Sequence, residues 1–388
     1  MMRLGIVGGA LQGMEVAYLA RKAGYETVVI DRWDKAPAFS LADEHAVLDA
    51  VSDPEALRIL EDCDAVMPAN EDLETLERLV NLLRDGPPLI FDLQAFRLSR
   101  SKVLSNKLFR SLDVPMPATW PESGFPVIVK PSEESGSVGV SKANNEAQLR
   151  RSLDRARQYG EGVVVQEFIS GRSVSLEVIG NGERFIPLVT TEVHFDSVYD
   201  CKMVTTPVEM DFDDQQFRDA SLQVASSLSL RGIMDVEAMI SGRTAKLIEI
   251  DARFPSQTPT AVYHSTGINM VRMLVDLFTS GSMDVPDVPC YRTVVYEHLM
   301  VEDGSVHFRG EDGLPCHPGM VVMPGLFGSD EAITDYRPGL DTWAATLIFT
   351  GRDRSEVLRK RRRALRNVMA SVQSVCRPRQ AVEVSSHD

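Results

Sequence analysis

Positive charge is what this 388-residue sequence is short of: 41 lysines and arginines stand against 56 acidic residues, a net charge of −15. Binding a phosphate backbone needs a basic face, so nucleic acid is excluded as the main partner. The one basic run, "RDRSEVLRKRRRALR" (Arg352–Arg366), has helical character and is expected to form a solvated or subunit-contact face, the latter fitting a homodimer, with an anion site as the lesser alternative. Cysteine is also scarce. Cys63, Cys201, Cys290, Cys316 and Cys376 are odd in number, widely spaced and without a Cys-x-x-Cys pair. That argues against a disulfide framework or a zinc site and for a reducing compartment. Long apolar runs are missing too. No stretch reaches the roughly 18 residues of a membrane span. The N-terminal "MMRLGIVGGALQGMEVAYLARK" is broken by glycines and by Glu15, unlike a signal peptide. No membrane partner is expected, and the protein is assigned to the cytoplasm.

What remains is a globular composition, 44% hydrophobic and 25% charged, in a chain long enough for two or three domains. Residues 1–93 alternate short apolar runs with helical stretches. "LGIV" (Leu4–Val7), "TVVID" (Thr27–Asp31), "AVMP" (Ala65–Pro68) and "PLIFD" (Pro88–Asp92) read as buried strands, with helices over Gln12–Ala23 and Leu73–Leu83. This predicts a doubly wound parallel sheet. From 94 to 285 hairpin signals take over after a helix near Ser101–Leu112, and an α+β region is expected. Residues 286–388 mix strand and helix signals as a C-terminal α/β region, and no catalytic motif can be placed there.

Three motifs carry chemistry. "GGALQG" (Gly8–Gly13) joins the first strand to the first helix and invites a dinucleotide reading, with Asp31 ending the second strand. The spacing is not Gly-x-Gly-x-x-Gly, because Ala10 stands in the middle position, so a tight turn or a substrate loop at a helix N-terminus fits better. "VIVKPSEESGSVGV" (Val127–Val140) ends an apolar strand on Lys130 and continues into a Ser/Gly-rich loop. Its backbone N–H groups can wrap phosphates that Lys130 neutralises, although the spacing is not that of a P-loop.

The third motif is an acidic hairpin, "GIMDVEAMISGRTAKLIEID". Asp235 and Glu237 share one face of the outgoing strand; Glu249 and Asp251 share one face of the return, with Arg253 next along it. Ile248, Ile250 and Ala252 are expected on the other face. If the loop closes on an odd number of residues, such as Gly242–Thr244, Glu237 stands opposite Glu249 and Asp235 opposite Asp251. Like charges about 5 Å apart repel by about 3 kcal/mol at an effective dielectric near 20. A structural surface gains nothing from that, whereas magnesium with bridging phosphates requires hard oxygen ligands of this kind. Arg253 would then hold a transferred phosphoryl group.

The order "VIVKP…SGSVG…VVQEFISG…DVEAMI…IEIDARF" resembles the ATP-grasp superfamily of carboxylate–amine ligases, which make an acyl phosphate with ATP for an amine to attack. "PANEDL", "LIFDLQAFRLSRSK", "VHFDSVYDCKMVTTP" and "IEIDARFPSQTPTAVYHSTGIN" are similar to the branch that joins diamino acids in pyrrolysine biosynthesis. The resemblance implies an ATP-grasp fold behind the N-terminal α/β domain. It implies ADP-forming ligation of 3-methyl-D-ornithine to the side-chain amine of L-lysine, with two magnesium ions. Lys102, Lys130, Ser135, Ser137 and Val138 would contact phosphates, and Gln166, Glu167, Phe168 and Ile169 the adenine and its sugar. Asp235, Glu237, Glu249 and Asp251 would serve magnesium, and Lys130 and Arg253 the chemistry. Leu11, Gln12, Glu71, Ser175, Glu177, Asp200, Arg253 and Ser256 would form the amino-acid pocket. Two readings stay open beside it: another ATP-grasp amino-acid or dipeptide ligase, and a sensor that binds nucleotide or amino acid without turnover.

Overall fold

Short apolar runs become strands where a partner covers them, and the described residues assemble three sheets on that rule. The structure, a computed structural model, describes residues 1–160, 162–285 and 291–376; Cys290 lies outside them. Among the described residues the first sheet is four-stranded and parallel, ordered Glu44–Val47, Glu26–Asp31, Arg3–Val7, Ala65–Pro68. Leu4, Ile6, Val29 and Ile30 are fully buried in it. Helices Leu11–Ala23 and Leu73–Leu82 fall where the sequence puts them. One expected strand does not form. Pro88–Asp92 touches the sheet only through a bridge from Leu89 to Val66. Pro87 and Pro88 lack ladder donors, and Asp92 instead caps helix Leu93–Ser99 by accepting from the N–H groups of Gln94 and Ala95. The opposite edge of the sheet, beside Glu26–Asp31, is formed by Glu44–Val47, a largely exposed strand with no apolar run to announce it.

The second sheet has Val127–Pro131 between Ser141–Ala143 and Val163–Glu167, all antiparallel, with helix Glu146–Ala156 packed on it through Leu149. The third has eleven strands among the described residues. It runs from Thr244–Asp251 at one edge, through Arg231–Ser241 and Ser173–Asn181, to Val321–Pro324 at the other. Within it Cys201–Thr206 pairs with Thr293–Glu302, so the C-terminal strands continue the sheet that holds the acidic hairpin.

That hairpin reaches its register by a different route from the one expected. Its loop has two residues, Gly242 and Arg243, since Ser241 already pairs with Thr244. Continued regularly, this pairing would put Glu237 opposite Ile248. The register shifts beyond Ala238–Leu247 instead, and Glu237 comes to face Glu249 and Asp235 to face Asp251, with Ile248 as the extra residue of a bulge. Burial records the shift: Ala245 and Leu247 lie in the core before it, Ile250 and Ala252 after it. Ile248 therefore lies on the acidic side, contrary to the simple alternation.

The basic run lies in helix Arg354–Cys376, whose Val357, Ala364, Val368 and Val372 pack with strand Trp343–Gly351. Arg361 grips both oxygens of Glu297, at 2.6 and 2.5 Å, so part of its charge is structural. Among the described residues no helix is long and apolar enough to cross a membrane.

Candidate active site

A cavity of about 420 Å³ lies between the three-stranded sheet and the acidic edge of the large one. Lys102 enters from the first turn of helix Lys102–Ser111, which Ser101 caps through the Leu104 N–H. Its ammonium forms an ion pair with Glu249 and donates to the Glu134 carbonyl at 2.6 Å. Lys130 arrives from the end of strand Val127–Pro131 and lines the same space. Burial pushes Lys130 below its ordinary value, Glu249 opposes this, and the neighbouring Lys102 charge adds to it. Lys102 moves the other way: burial lowers it, but Glu249, Asp251 and Glu237 together more than offset that.

All four hairpin carboxylates line the cavity. Burial, then the charges of Asp235, Glu249 and Asp251, push Glu237 well above the usual carboxylate range. Burial pushes Asp251 up to about 7, with Arg253 opposing and Glu249 and Glu71 adding. Asp235 is raised by burial although the Ser175 hydroxyl, which donates to it, and Arg253 favour its charge. The set therefore calls for more positive charge than the protein brings. Among the described residues no three acidic, histidine or cysteine side chains are arranged as a metal cage. Magnesium does not need one, since it uses one or two carboxylates together with substrate phosphates and water. The cross-strand pairs fit an ion that arrives with a nucleotide.

Beyond the acids the lining turns apolar, with Ile128, Phe168, Ile169, Met239 and Ile248. Gln166 is buried there and accepts from Asn106 at 3.3 Å. Glu167 is held by Lys246 at 2.7 Å and by the Ala118 N–H at 3.2 Å, and the Lys246 hydrogen bond keeps its carboxyl below the usual range. Phe168 lies under the Lys142 ammonium, 3.7 Å from the ring centre. Ser135 and Ser137 of the glycine-rich loop line the cavity, and the Ser137 hydroxyl donates to the Tyr199 carbonyl at 2.9 Å; Val138 points out, 40% exposed.

At the opposite end Arg253 pairs with Glu71 at 2.8 Å and lies 3.6 Å from Asp251. Arg253 first of all, and the Ser135 and Gln12 side chains after it, keep the Glu71 carboxyl low despite burial. Glu71 accepts from Gln12 at 2.8 Å, and these two stand behind Arg253 outside the lining. Leu11 packs on the apolar core. In "NED" the helix cap and the site contact separate: Asp72 accepts from Thr75 as N-cap, leaving Glu71 to face Arg253. Ser175, Asp200 and Ser256 line the cavity. Glu177 does not; it stands opposite Asp235 in the adjacent strand, fully buried, and both its oxygens lack hydrogen bonds. Burial and then Asp235 push it up to about 8.

The motif reading missed Ile128, Met239, Ile248 and Glu311. For Ile248 a signal existed, the doubled apolar pair Leu247–Ile248 that breaks the alternation. The loop at Gly8–Gly13 is accounted for by packing. Gly8 has φ +112°, and a Cβ there would meet the Ala69 carbonyl oxygen at 2.3 Å. Asp31, the candidate ribose acid, accepts from the Gly9 and Trp33 N–H groups at 2.6 and 2.8 Å.

A lysine-rimmed cavity between a small sheet and the acid-faced edge of a large one defines an ATP-grasp enzyme, and the ATP-grasp domain model matches residues 99–257. A biotin carboxylase–β,γ-ATP complex from Campylobacter jejuni superposes with a TM-score of 0.74, covering 97% of this chain and 96% of that one; at 15% identity the likeness concerns the fold. A 3-methyl-D-ornithine–L-lysine ligase of Methanosarcina acetivorans is 39% identical over 93% of this chain and 96% of its own length. Its counterpart in Methanosarcina mazei is 38% identical over 93% and 94%. The chain belongs to the family of 3-methyl-D-ornithine–L-lysine ligases.

Proposed function

We infer that this protein joins the carboxylate of (3R)-3-methyl-D-ornithine to the side-chain amine of L-lysine, consuming ATP and releasing ADP and phosphate, in pyrrolysine biosynthesis. The observation that carries the reading is a single cavity with lysines and opposed carboxylates at one end and Arg253 with further acids at the other, in a chain matching these ligases along nearly their whole length. A carboxylate oxygen of the ornithine attacks the γ-phosphorus, ADP leaves, and an acyl phosphate forms. The neutral lysine side-chain amine then attacks the acyl carbon, phosphate departs with one former carboxylate oxygen, and the amine loses its proton. Lys102 and Lys130 are suited to the phosphates, and Arg253 to the phosphoryl group in transfer. Two magnesium ions would be held by Glu237, Glu249 and Asp251, with Asp235 in support, to offset phosphate charge. At neutral pH the amine, with an ordinary pKa of about 10.4, must give up a proton, and the acids around Asp200 and Glu177 are the candidates to receive it.

Two measurements test this. ADP release is followed with each amino acid alone and in pairs, and should be largest with the named pair. With ¹⁸O in the ornithine carboxylate, one labelled oxygen should appear in the phosphate. Unlabelled phosphate, or AMP with pyrophosphate, would refute the acyl-phosphate route.

A further inference from the structure

Glu311 comes from "FRGEDGLPC", in the region without a recognisable motif, yet it lines the cavity beside Asp200, Arg253, Ser256 and Gln257. The residue before it fixes its place. A Cβ on Gly310 would stand 1.9 Å from the Asp200 carboxyl group, so glycine lets this segment lie directly against that side chain. The Gly310 N–H donates to Asp196 at 3.2 Å, and the chain then turns into the short 3-10 helix Glu311–Cys316. One carboxylate oxygen of Glu311, Oε2, is sealed from solvent and makes no hydrogen bond. A desolvated carboxylate oxygen without a donor is costly, and the protein's cation at this end, Arg253, is already engaged by Glu71 and Asp251. Because Glu311 lines the cavity, the charge that offsets its carboxylate is a cation entering there.

We propose that Glu311 holds an ammonium group of a diamino-acid substrate and thereby favours diamino acids over analogues lacking that amine. This rests on the ligase reading. In that reaction the ornithine carries two amines that do not react and the lysine carries one. Each brings a positive charge into a cavity whose acids at the other end face lysines. Glu311 acts here as a specificity-determining residue, away from the atoms that change bonds.

The test compares wild type, Glu311→Gln and Glu311→Asp, titrating each amino acid at saturating ATP. Analogues identify the amine: 6-aminohexanoate for lysine without its α-amine, and 2-amino-3-methylpentanoate and 5-amino-3-methylpentanoate for the ornithine without one amine or the other. Glu311→Gln should raise KM for one diamino acid roughly tenfold to a hundredfold, the usual worth of a charge-assisted hydrogen bond. KM for ATP should not move, Glu311→Asp should fall between, and the preference over the matching analogue should shrink by the same factor. Unchanged KM values for both amino acids would overturn the proposal, as would equal losses for a diamino acid and all its analogues. Should Glu311→Gln fail to fold, Glu311→Asp is judged by the same criteria. Failure of the ligase reading itself would appear in the wild type, as no ADP released with the pair, and would sink both.

Discussion

At one end of the cavity Asp235, Glu237, Glu249 and Asp251 face Lys102 and Lys130; at the other, beside Arg253, Glu311 has a carboxylate oxygen that makes no hydrogen bond. Both ends are acidic, yet they are compensated differently. Acids set among fixed cations form a frame that accepts an anion together with a metal ion, because neither charge enters unopposed. Acids beside a cation that is already engaged, as Arg253 is by Glu71 and Asp251, leave a deficit that a substrate ammonium can fill. A third buried acid separates these cases from a merely structural one. Glu15, on the first helix, is buried and accepts from the Thr260 N–H at 2.7 Å. It anchors helix Thr258–Thr266 and lines no part of the cavity.

The comparison breaks most sharply at Glu249. Glu249→Gln should lower ligation by roughly a hundredfold or more, the scale of losing a charge-stabilising group in a transition state. Melting temperature should hold, since the change relieves repulsion among the hairpin acids and Lys102 keeps its bond to the Glu134 carbonyl. Turnover and melting measured across a magnesium titration check this, and near-normal turnover would remove Glu249 from the metal set. A smaller effect is expected from Glu71→Ala. The ion pair with Arg253 is lost, and KM for lysine should rise by about tenfold, in the range of a broken charged hydrogen bond, with KM for ATP far less affected. If neither constant moves, Glu71 does not serve the lysine end.

Much of this division can be read in the sequence. The two acid pairs, the lysine ending its strand and the "NED" loop after Pro68 announce themselves because strand alternation and helix capping are local properties. Other parts are not local. Glu44–Val47 becomes a strand because a sheet edge is free beside Glu26–Asp31, and its own residues do not require it. Glu311 reaches the cavity through a contact between Gly310 and Asp200, which no window of neighbouring residues contains. Glu71 and Asp72 are adjacent acids with different work, and only the position of Arg253 tells them apart.

The smallest expected effect concerns stability. Burial pushes the Glu15 carboxyl up to about 7 from an ordinary 4.5, so the folded chain binds this proton more tightly than the unfolded chain. The resulting stabilisation is complete below about pH 4.5 and is lost as pH climbs toward 7, leaving a deficit on the order of 3 kcal/mol above that. Glu15→Gln keeps an acceptor for the Thr260 N–H without the charge. Its melting temperature should exceed that of wild type near pH 8, and the gap should close towards about pH 5. A gap independent of pH would mean that Glu15 is charged in both states.

Ile248 carries no charge and touches none of the proposed chemistry, yet the bulge that absorbs it keeps in phase everything that does. A strand has two sides, so with this two-residue turn regular pairing would aim Glu249 and Asp251 at the apolar core, and the bulge at Ile248 turns them back toward the cavity. A chain that kept every acid of this hairpin and dropped that single isoleucine would need no bulge, because regular pairing would then bring Glu249 opposite Glu237 by itself. In comparing such hairpins, residue spacing therefore matters as much as residue identity.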